Sequence, residues 1–205
     1  MTVLPERAAH WERIYATKGE REVSWFEETP VSLALFEAAG VSPTATVIDI
    51  GGGASGLADA LLARGATAVT VLDISARALA TLAARLGDEP RLCLIAADVT
   101  RWVPQSRYDV WHDRAAFHFL TGVEDQAAYV AAMRQALPRG GIAIIGTFAP
   151  DGPEKCSGLP VARHDAGSLA AIFGPGFELV AARRHDHRTP WDTIQRFQFS
   201  TFRRR

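Results

Sequence analysis

Between about residue 46 and residue 148, short apolar runs alternate with longer stretches in which apolar residues recur at helical spacing. TVIDI (46–50) is the first run; it stops at a burst of glycine, and ASGLADALLARG (54–65) then keeps a helical period until Gly65. VTVLD (69–73) repeats the strand pattern and SARALATLAARLG (75–87) the helical one, with Ser75 as N-cap and Gly87 as stop. RLCLIAAD (91–98) and YDVWHD (108–113) predict a third and a fourth strand. EDQAAYVAAMRQALPRGG (124–141) predicts an amphipathic helix ending at Pro-Arg-Gly-Gly, and IAIIGTF (142–148) a buried fifth strand. Such alternation predicts an α/β fold on a parallel sheet.

After residue 148 the character changes. APDGPEKCSGLP (149–160) reads as a Pro/Gly loop and DAGSLAAIFG (165–174) as a short helix. FELVAARRHDHR (177–188) and TIQRFQFSTFRRR (193–205) are joined by four residues, TPWD, too few for a crossover helix, so they are expected to pair antiparallel. In the first 45 residues, HWERIYATKGEREVSWF and VSLALFEAAG predict helices lying in front of the sheet. No repeat, heptad or low-complexity tract interrupts the chain. The expectation is one domain over 1–205, with 1–45 a helical cap over the site and 46–205 the core; 205 residues bury a sizeable core but leave no room for a second substrate domain.

A formal net charge of -1 and a pI near 6.6 offer no basic face, so nucleic acid and anionic membrane are not expected partners. The cations are almost all arginine, with Lys18 and Lys155 the two lysines, a bias that GC-rich coding explains as well as function does. MTVLPERAAHWER has charges where a secretory segment needs an apolar run, and no stretch reaches the roughly 18 apolar residues of a membrane span, so a soluble cytoplasmic protein is expected. Cys93 and Cys156 lie in no ligand spacing and are expected to be reduced. His185 and His187 project from one face of a strand, as a metal site could use, but no third ligand is near them in sequence, and no metal is expected.

The glycines after the first strand carry the sharpest signal. Gly51, Gly53 and Gly56 satisfy GxGxxG between a strand and a helix, with Asp73 22 residues after the first, which suits a dinucleotide. Without Cβ atoms such a loop turns sharply and admits any cofactor to the helix N-terminus. Three features choose among cofactors. Asp49, two residues before Gly51, would repel a pyrophosphate but attract a cation such as the sulfonium and ammonium groups of S-adenosylmethionine. Asp98, 25 residues after Asp73, ends the third strand as an acceptor for an adenine amino group. The chain also has no separate substrate domain and no Tyr-x-x-x-Lys, so a reductase is not supported.

The run DIGGGASG, Asp73, AADV, the WHDR segment and the terminal strand pair resemble the class I S-adenosylmethionine-dependent methyltransferases over almost the whole chain, in a branch of small bacterial enzymes. The resemblance implies a Rossmann-like seven-stranded sheet of order 3-2-1-4-5-7-6, strand 7 antiparallel, with helices on both faces. It implies that the methionine part of the cofactor is received by Asp49, Gly51 and Gly53, with Ser55 at the third glycine position, the ribose by Asp73 with Ile74, and the adenine by Asp98 with Val99. HWERIYATKGEREVSWFEETP resembles the N-terminal segment that in such enzymes covers the cofactor and shapes the acceptor pocket, which carries Trp11, Tyr15, Trp25 and Phe26 over; these aromatics could equally just pack a helix onto the sheet.

Methyl transfer asks mainly for alignment and, where needed, a base. Ligands of open α/β sheets sit at the carboxyl ends of the strands, which puts His112, Asp113 and Arg114 after strand 4, Phe117 and His118 a helical turn on, and Lys155 and Cys156 after strand 5. His112 or Asp113 is the candidate base or acceptor-positioning group, His112 also touching the cofactor; the alternative is an Asp113–Arg114 ion pair with His112 capping the strand end. Arg114, Phe117, His118 and Cys156 complete the candidate acceptor pocket, against the readings that His118 packs beside the helix and that Cys156 is an incidental exposed thiol. Motifs for methylating bases or glutamine are absent, so a small nucleophile is the leading acceptor, with protein lysine, or a non-catalytic cofactor-binding module, as alternatives.

Overall fold

A computed structural model of the protein describes residues 4–205. Two helices, α1 (Leu4–Thr17) and α2 (Ser32–Ala38), precede the sheet. There follow β1 (Thr46–Ile50), α3 (Leu57–Ala63), β2 (Ala68–Asp73), α4 (Ala76–Leu86), β3 (Leu92–Ala96), β4 (Val110–Arg114), α5 (Val123–Ala136) and β5 (Ile142–Phe148). The 149–160 segment is not wholly loop: it folds into a small hairpin of β6 (Lys155–Cys156) and β7 (Leu159–Pro160). The chain ends with α6 (Ala166–Phe173), β8 (Phe177–Arg188) and β9 (Ile194–Arg204).

The main sheet has the order β3-β2-β1-β4-β5-β9-β8. With the small hairpin set aside, this is the 3-2-1-4-5-7-6 order that the resemblance implies. β9 runs antiparallel to both β5 and β8, as the short TPWD connection requires. Ser75 caps α4, its hydroxyl accepting from Ala78 N, and Gly87 ends it with φ 61°. Two limits differ from the sequence pattern. β3 stops at Ala96, so Asp98 lies beyond the strand, and α5 stops before Leu137-Pro138, where the proline ring forbids another turn.

The central strands are buried on both faces, and their alternation separates two cores. Val47, Val69 and Val71 pack with Leu57 and Leu61 of α3 and Leu79 and Leu82 of α4. Ile48, Ile50 and Trp111 pack on the other side with Tyr129 and Met133 of α5 and Phe173 of α6. One polar chain crosses this second core. Trp111 Nε1 donates to Tyr129 Oη at 2.7 Å, and Tyr129 Oη donates to Asp113 Oδ2 at 2.7 Å. The Asp113 carboxylate also accepts the backbone N–H groups of Ala116 (2.9 Å) and Phe117 (3.0 Å), which fixes the turn after β4. Among the described residues no helix is long and apolar enough to cross a membrane.

Because Trp111, Tyr129 and Asp113 are all buried, losing the hydroxyl would strand both of its partners. Tyr129→Phe is expected to destabilise the protein by about 1–3 kcal/mol, read from urea unfolding; a change below the error of the fit would show that the chain is not a fixed part of the core.

Candidate functional site

The carboxyl ends of β1, β2 and β4 face two adjoining cavities, where ligands of open α/β sheets bind. The larger, of about 720 Å³, is walled by Ser32, Asp49, Ser55, His112 and Arg114 and roofed by residues between 20 and 30. The smaller, of about 130 Å³, is lined by Asp73, Ile74, Asp98 and Val99 beneath Trp11 and Tyr15. Tyr15, Trp25, Gly51 and Arg114 border both.

The turn that follows β1 is dictated by its glycines. Gly51 and Gly53 hold φ of 67° and 49°, values that side chains resist, and a Cβ on Gly52 would strike Asp49 Oδ2. Asp49 is the pivot. Its Oδ2 lies under the glycine loop, while Oδ1 stands 2.7 Å from His112 Nδ1. His112 Nε2 is in turn 2.7 Å from Ser32 Oγ. Since a carboxylate only accepts, Nδ1 carries the proton; in the neutral ring Nε2 then accepts the Ser32 hydroxyl proton. All three side chains are buried, and all three line the larger cavity.

Asp73, at the end of β2, accepts Ser75 N at 2.8 Å through Oδ1, and its Oδ2 faces Gly53. Burial pushes its carboxyl up to about 7; the N–H groups of Ser75 and Gly53 oppose that rise, and the nearby Asp49 and Glu12 charges add to it. Asp98 spends Oδ1 on the backbone N–H and hydroxyl of Thr100, at 2.9 and 2.7 Å. Its buried Oδ2 has no hydrogen-bond partner, with Arg7 no closer than 3.9 Å. Asp98 thus brings an unmet buried acceptor to the cavity that Asp73 also lines.

The N-terminal segment closes the groove. Glu12 accepts from Ser75 Oγ (3.0 Å) and Arg77 N (3.2 Å), which seats α1 on the start of α4. Trp11 packs edge-on against Trp25 and Phe119, with ring centroids 5.9 and 5.0 Å apart, and Tyr15 against Trp25 at 6.3 Å. Phe26 lies under Arg21 on the wall of the larger cavity. Arg85 ties this roof to the loop: it bonds Glu20 and Asp59 and also donates to the Ser55 carbonyl, each contact at 2.8 Å.

Several expected roles change. His112, Asp113 and Arg114 lie within β4, not after it, so the middle residue points to the opposite face. Asp113 therefore reaches neither cavity; it is wholly buried in the Tyr129 chain, and burial pushes its carboxyl up to about 6. It cannot serve as the base from there, and the Asp113–Arg114 ion pair does not form. Arg114 instead pairs with Glu27 at 3.0 Å and donates to the Trp25 carbonyl at 2.8 Å. Phe117 and His118 are also wholly buried and line neither cavity, Phe117 packing on Tyr129 and His118 on Phe148. Burial pushes the His118 imidazole down to about 3. Cys156 is not an exposed thiol but a buried one on the wall of the smaller cavity, and burial pushes it up to about 11. Ser32 and Glu27 were not legible as site residues, because their partners lie far away in the sequence.

Residues 47–141 match the family model for the methyltransferase domain. None of the curated proteins is similar in sequence. Among solved structures, the N-methyltransferase NodS from Bradyrhizobium japonicum in complex with S-adenosylhomocysteine is 14% identical, with 94% of this chain and 97% of that chain covered and a TM-score of 0.71. The 1,6-didemethyltoxoflavin N1-methyltransferase of Burkholderia thailandensis is 21% identical, covers 100% and 91%, and gives 0.70. An S-adenosylmethionine-dependent methyltransferase from Anabaena variabilis is 15% identical, covers 100% and 96%, and gives 0.77. The chain has the class I methyltransferase fold, and the NodS and Burkholderia neighbours were solved with S-adenosylhomocysteine bound.

If Asp73 receives the ribose, its ionised carboxylate accepts the ribose hydroxyl more strongly than the protonated acid does. With a carboxyl that titrates near 7, affinity for S-adenosylhomocysteine is expected to strengthen as pH rises from 6 to 8, with proton release on binding. Calorimetry in two buffers of different ionisation enthalpy reads both. Asp73→Ala is expected to lose at least about tenfold in affinity, about 1.4 kcal/mol; an unchanged affinity would misplace the ribose.

Proposed function

We propose that this protein, with its class I sheet and methyltransferase-domain core, transfers the methyl group of S-adenosylmethionine to a small nucleophilic molecule held in the larger cavity. The observation that carries the reading is the Ser32–His112–Asp49 hydrogen-bond chain, which runs from the wall of that cavity to the carboxylate under the glycine loop. The named activity of the Burkholderia neighbour, N1-methylation of a small heterocycle, supports an acceptor of that size.

When bound, S-adenosylmethionine supplies an activated methyl group and leaves as a neutral thioether. The remaining work falls to this chain. In this reading Asp49, Gly51, Gly53 and Ser55 receive the methionine part, Asp73 with Ile74 the ribose, and Asp98 with Val99 the adenine, a division supported by the two cavities that all of these residues except Gly53 line. An acceptor X–H beside Ser32 gives its proton to Ser32 Oγ as the Ser32 proton passes to His112 Nε2. The imidazolium so formed rests on Asp49, and the acceptor's lone pair is freed for the methyl carbon. A thiol that ionises near neutral pH needs this relay little; an alcohol or a protonated amine needs it more.

The smaller cavity has only about the share of liquid volume of four waters, so the adenosine enters when Tyr15, whose hydroxyl lies over Gly53, moves aside. Burial and the neighbouring Asp73 keep the Tyr15 phenol neutral throughout. The N-terminal segment thus covers the bound cofactor and excludes water from the transfer.

Isotope-labelled cofactor incubated with cell extract tests the reading. Label in the small-molecule fraction is expected; label confined to protein would favour lysine methylation, and binding without turnover a non-catalytic module. With an identified acceptor, Ser32→Ala is expected to lower kcat about 100-fold near pH 7 and to recover as pH approaches the acceptor's own pKa. Binding of S-adenosylhomocysteine is expected to change the tryptophan fluorescence, and Trp25→Phe to remove most of that change.

A further inference from the structure

β8 carries His185 and His187 two residues apart, so both rings leave the same face of the strand. The third ligand that the local sequence lacks comes from the other end of the chain. Glu27, between α1 and α2, lies against both, and one ligand atom from each of the three residues falls within 4.8 Å of the others.

His187 is already oriented as a ligand. Its Nε2 stands 2.7 Å from the Ser24 carbonyl oxygen, which only accepts, so Nε2 carries the proton and Nδ1 is the ring nitrogen turned toward Glu27. Giving the far N–H to a backbone carbonyl is how metal-binding imidazoles are held in register. Nδ1 lies 3.5 Å from Glu27 Oε1, long for a hydrogen bond. It is close to the separation of about 3.4 Å between a nitrogen and an oxygen that share one tetrahedral zinc with bonds of about 2.0–2.2 Å. The half-buried His185 completes the set.

Two cations oppose this site. Arg114 Nη2 is 3.0 Å from the same Glu27 Oε1, yet it has no aligned hydrogen bond, so a lone pair of that oxygen remains for a second partner. The rival arrangement gives His187 both ring protons and makes it an ion pair with Glu27. In that arrangement the Nδ1–H points at Glu27 Oε1, and the Arg114 guanidinium lies beside the same oxygen.

We propose that Glu27, His185 and His187 bind one divalent ion of the zinc class, through two imidazoles and one carboxylate, with water in the fourth position. The ion pins residues 25–27, which line the larger cavity, to β8. This site stands apart from the methyl-transfer reading and can be tested without it.

Tag-free, full-length protein, stripped with chelator and dialysed, is titrated with zinc chloride by calorimetry and with cobalt(II) by visible spectroscopy. One zinc per chain is expected, together with the strong visible absorption of four-coordinate cobalt and a raised Tm. His185→Asn, which alters a half-buried residue and spares the folding core, is expected to weaken zinc binding at least tenfold while S-adenosylhomocysteine affinity is unchanged. Glu27→Gln is expected to act in the same direction. Absence of stoichiometric zinc binding would overturn the proposal in favour of the His187–Glu27 ion pair. Binding that neither variant weakens would overturn it in favour of a site elsewhere.

Discussion

A carboxylate taken out of water at the end of a strand must be met by donors, and that requirement organises this molecule. Asp49 is met by His112, Asp73 by the backbone of Ser75, and Asp113 by Tyr129 and two backbone N–H groups. Each pairing ties one element to another: β1 to β4 and α2, β2 to the start of α4, β4 to α5. Where the donors saturate the carboxylate, as at Asp113, the group is structural. Where a cavity leaves part of it open, as at Asp49, Asp73 and the unmet Oδ2 of Asp98, it is available to a ligand.

β4 shows how one strand divides chemistry from architecture. His112 and Arg114 face the cavities, while Trp111 and Asp113 face the α5 core. Neighbouring residues of like character thus receive unlike work. The separation also keeps two hydrogen-bond chains apart: the Tyr129 chain belongs to the α5 core and the Ser32 chain to the cavity wall.

The N-terminal segment makes the site a chamber. Glu12, Arg85 and Arg114 hold it at three places, on α4, on the glycine loop and on β4. Its aromatic side chains Trp11, Tyr15 and Trp25 line the smaller cavity, and the Tyr15 hydroxyl lies over Gly53. The Glu27–His185–His187 cluster lies at the far end of the same segment, on the edge of the sheet.

The alternation of apolar runs and helical stretches was enough to assign the α/β class. The four-residue TPWD link was enough to make the last strands antiparallel, and Asp49 before the glycines to distinguish a cationic cofactor from a pyrophosphate. Those features are local: strand period, loop length and the charge of a loop act between residues close together in the chain. Which of the two candidate bases faces a cavity was not local. His112 and Asp113 are equivalent by type and position in sequence, and only the pleat of β4, packed between two helical layers, sends one to the cavity and the other into the core. Ser32, Glu27 and Tyr129 were illegible for the same reason. Their chemistry comes from partners brought near by the fold, and a hydrogen bond depends on distance in space, not on distance along the chain.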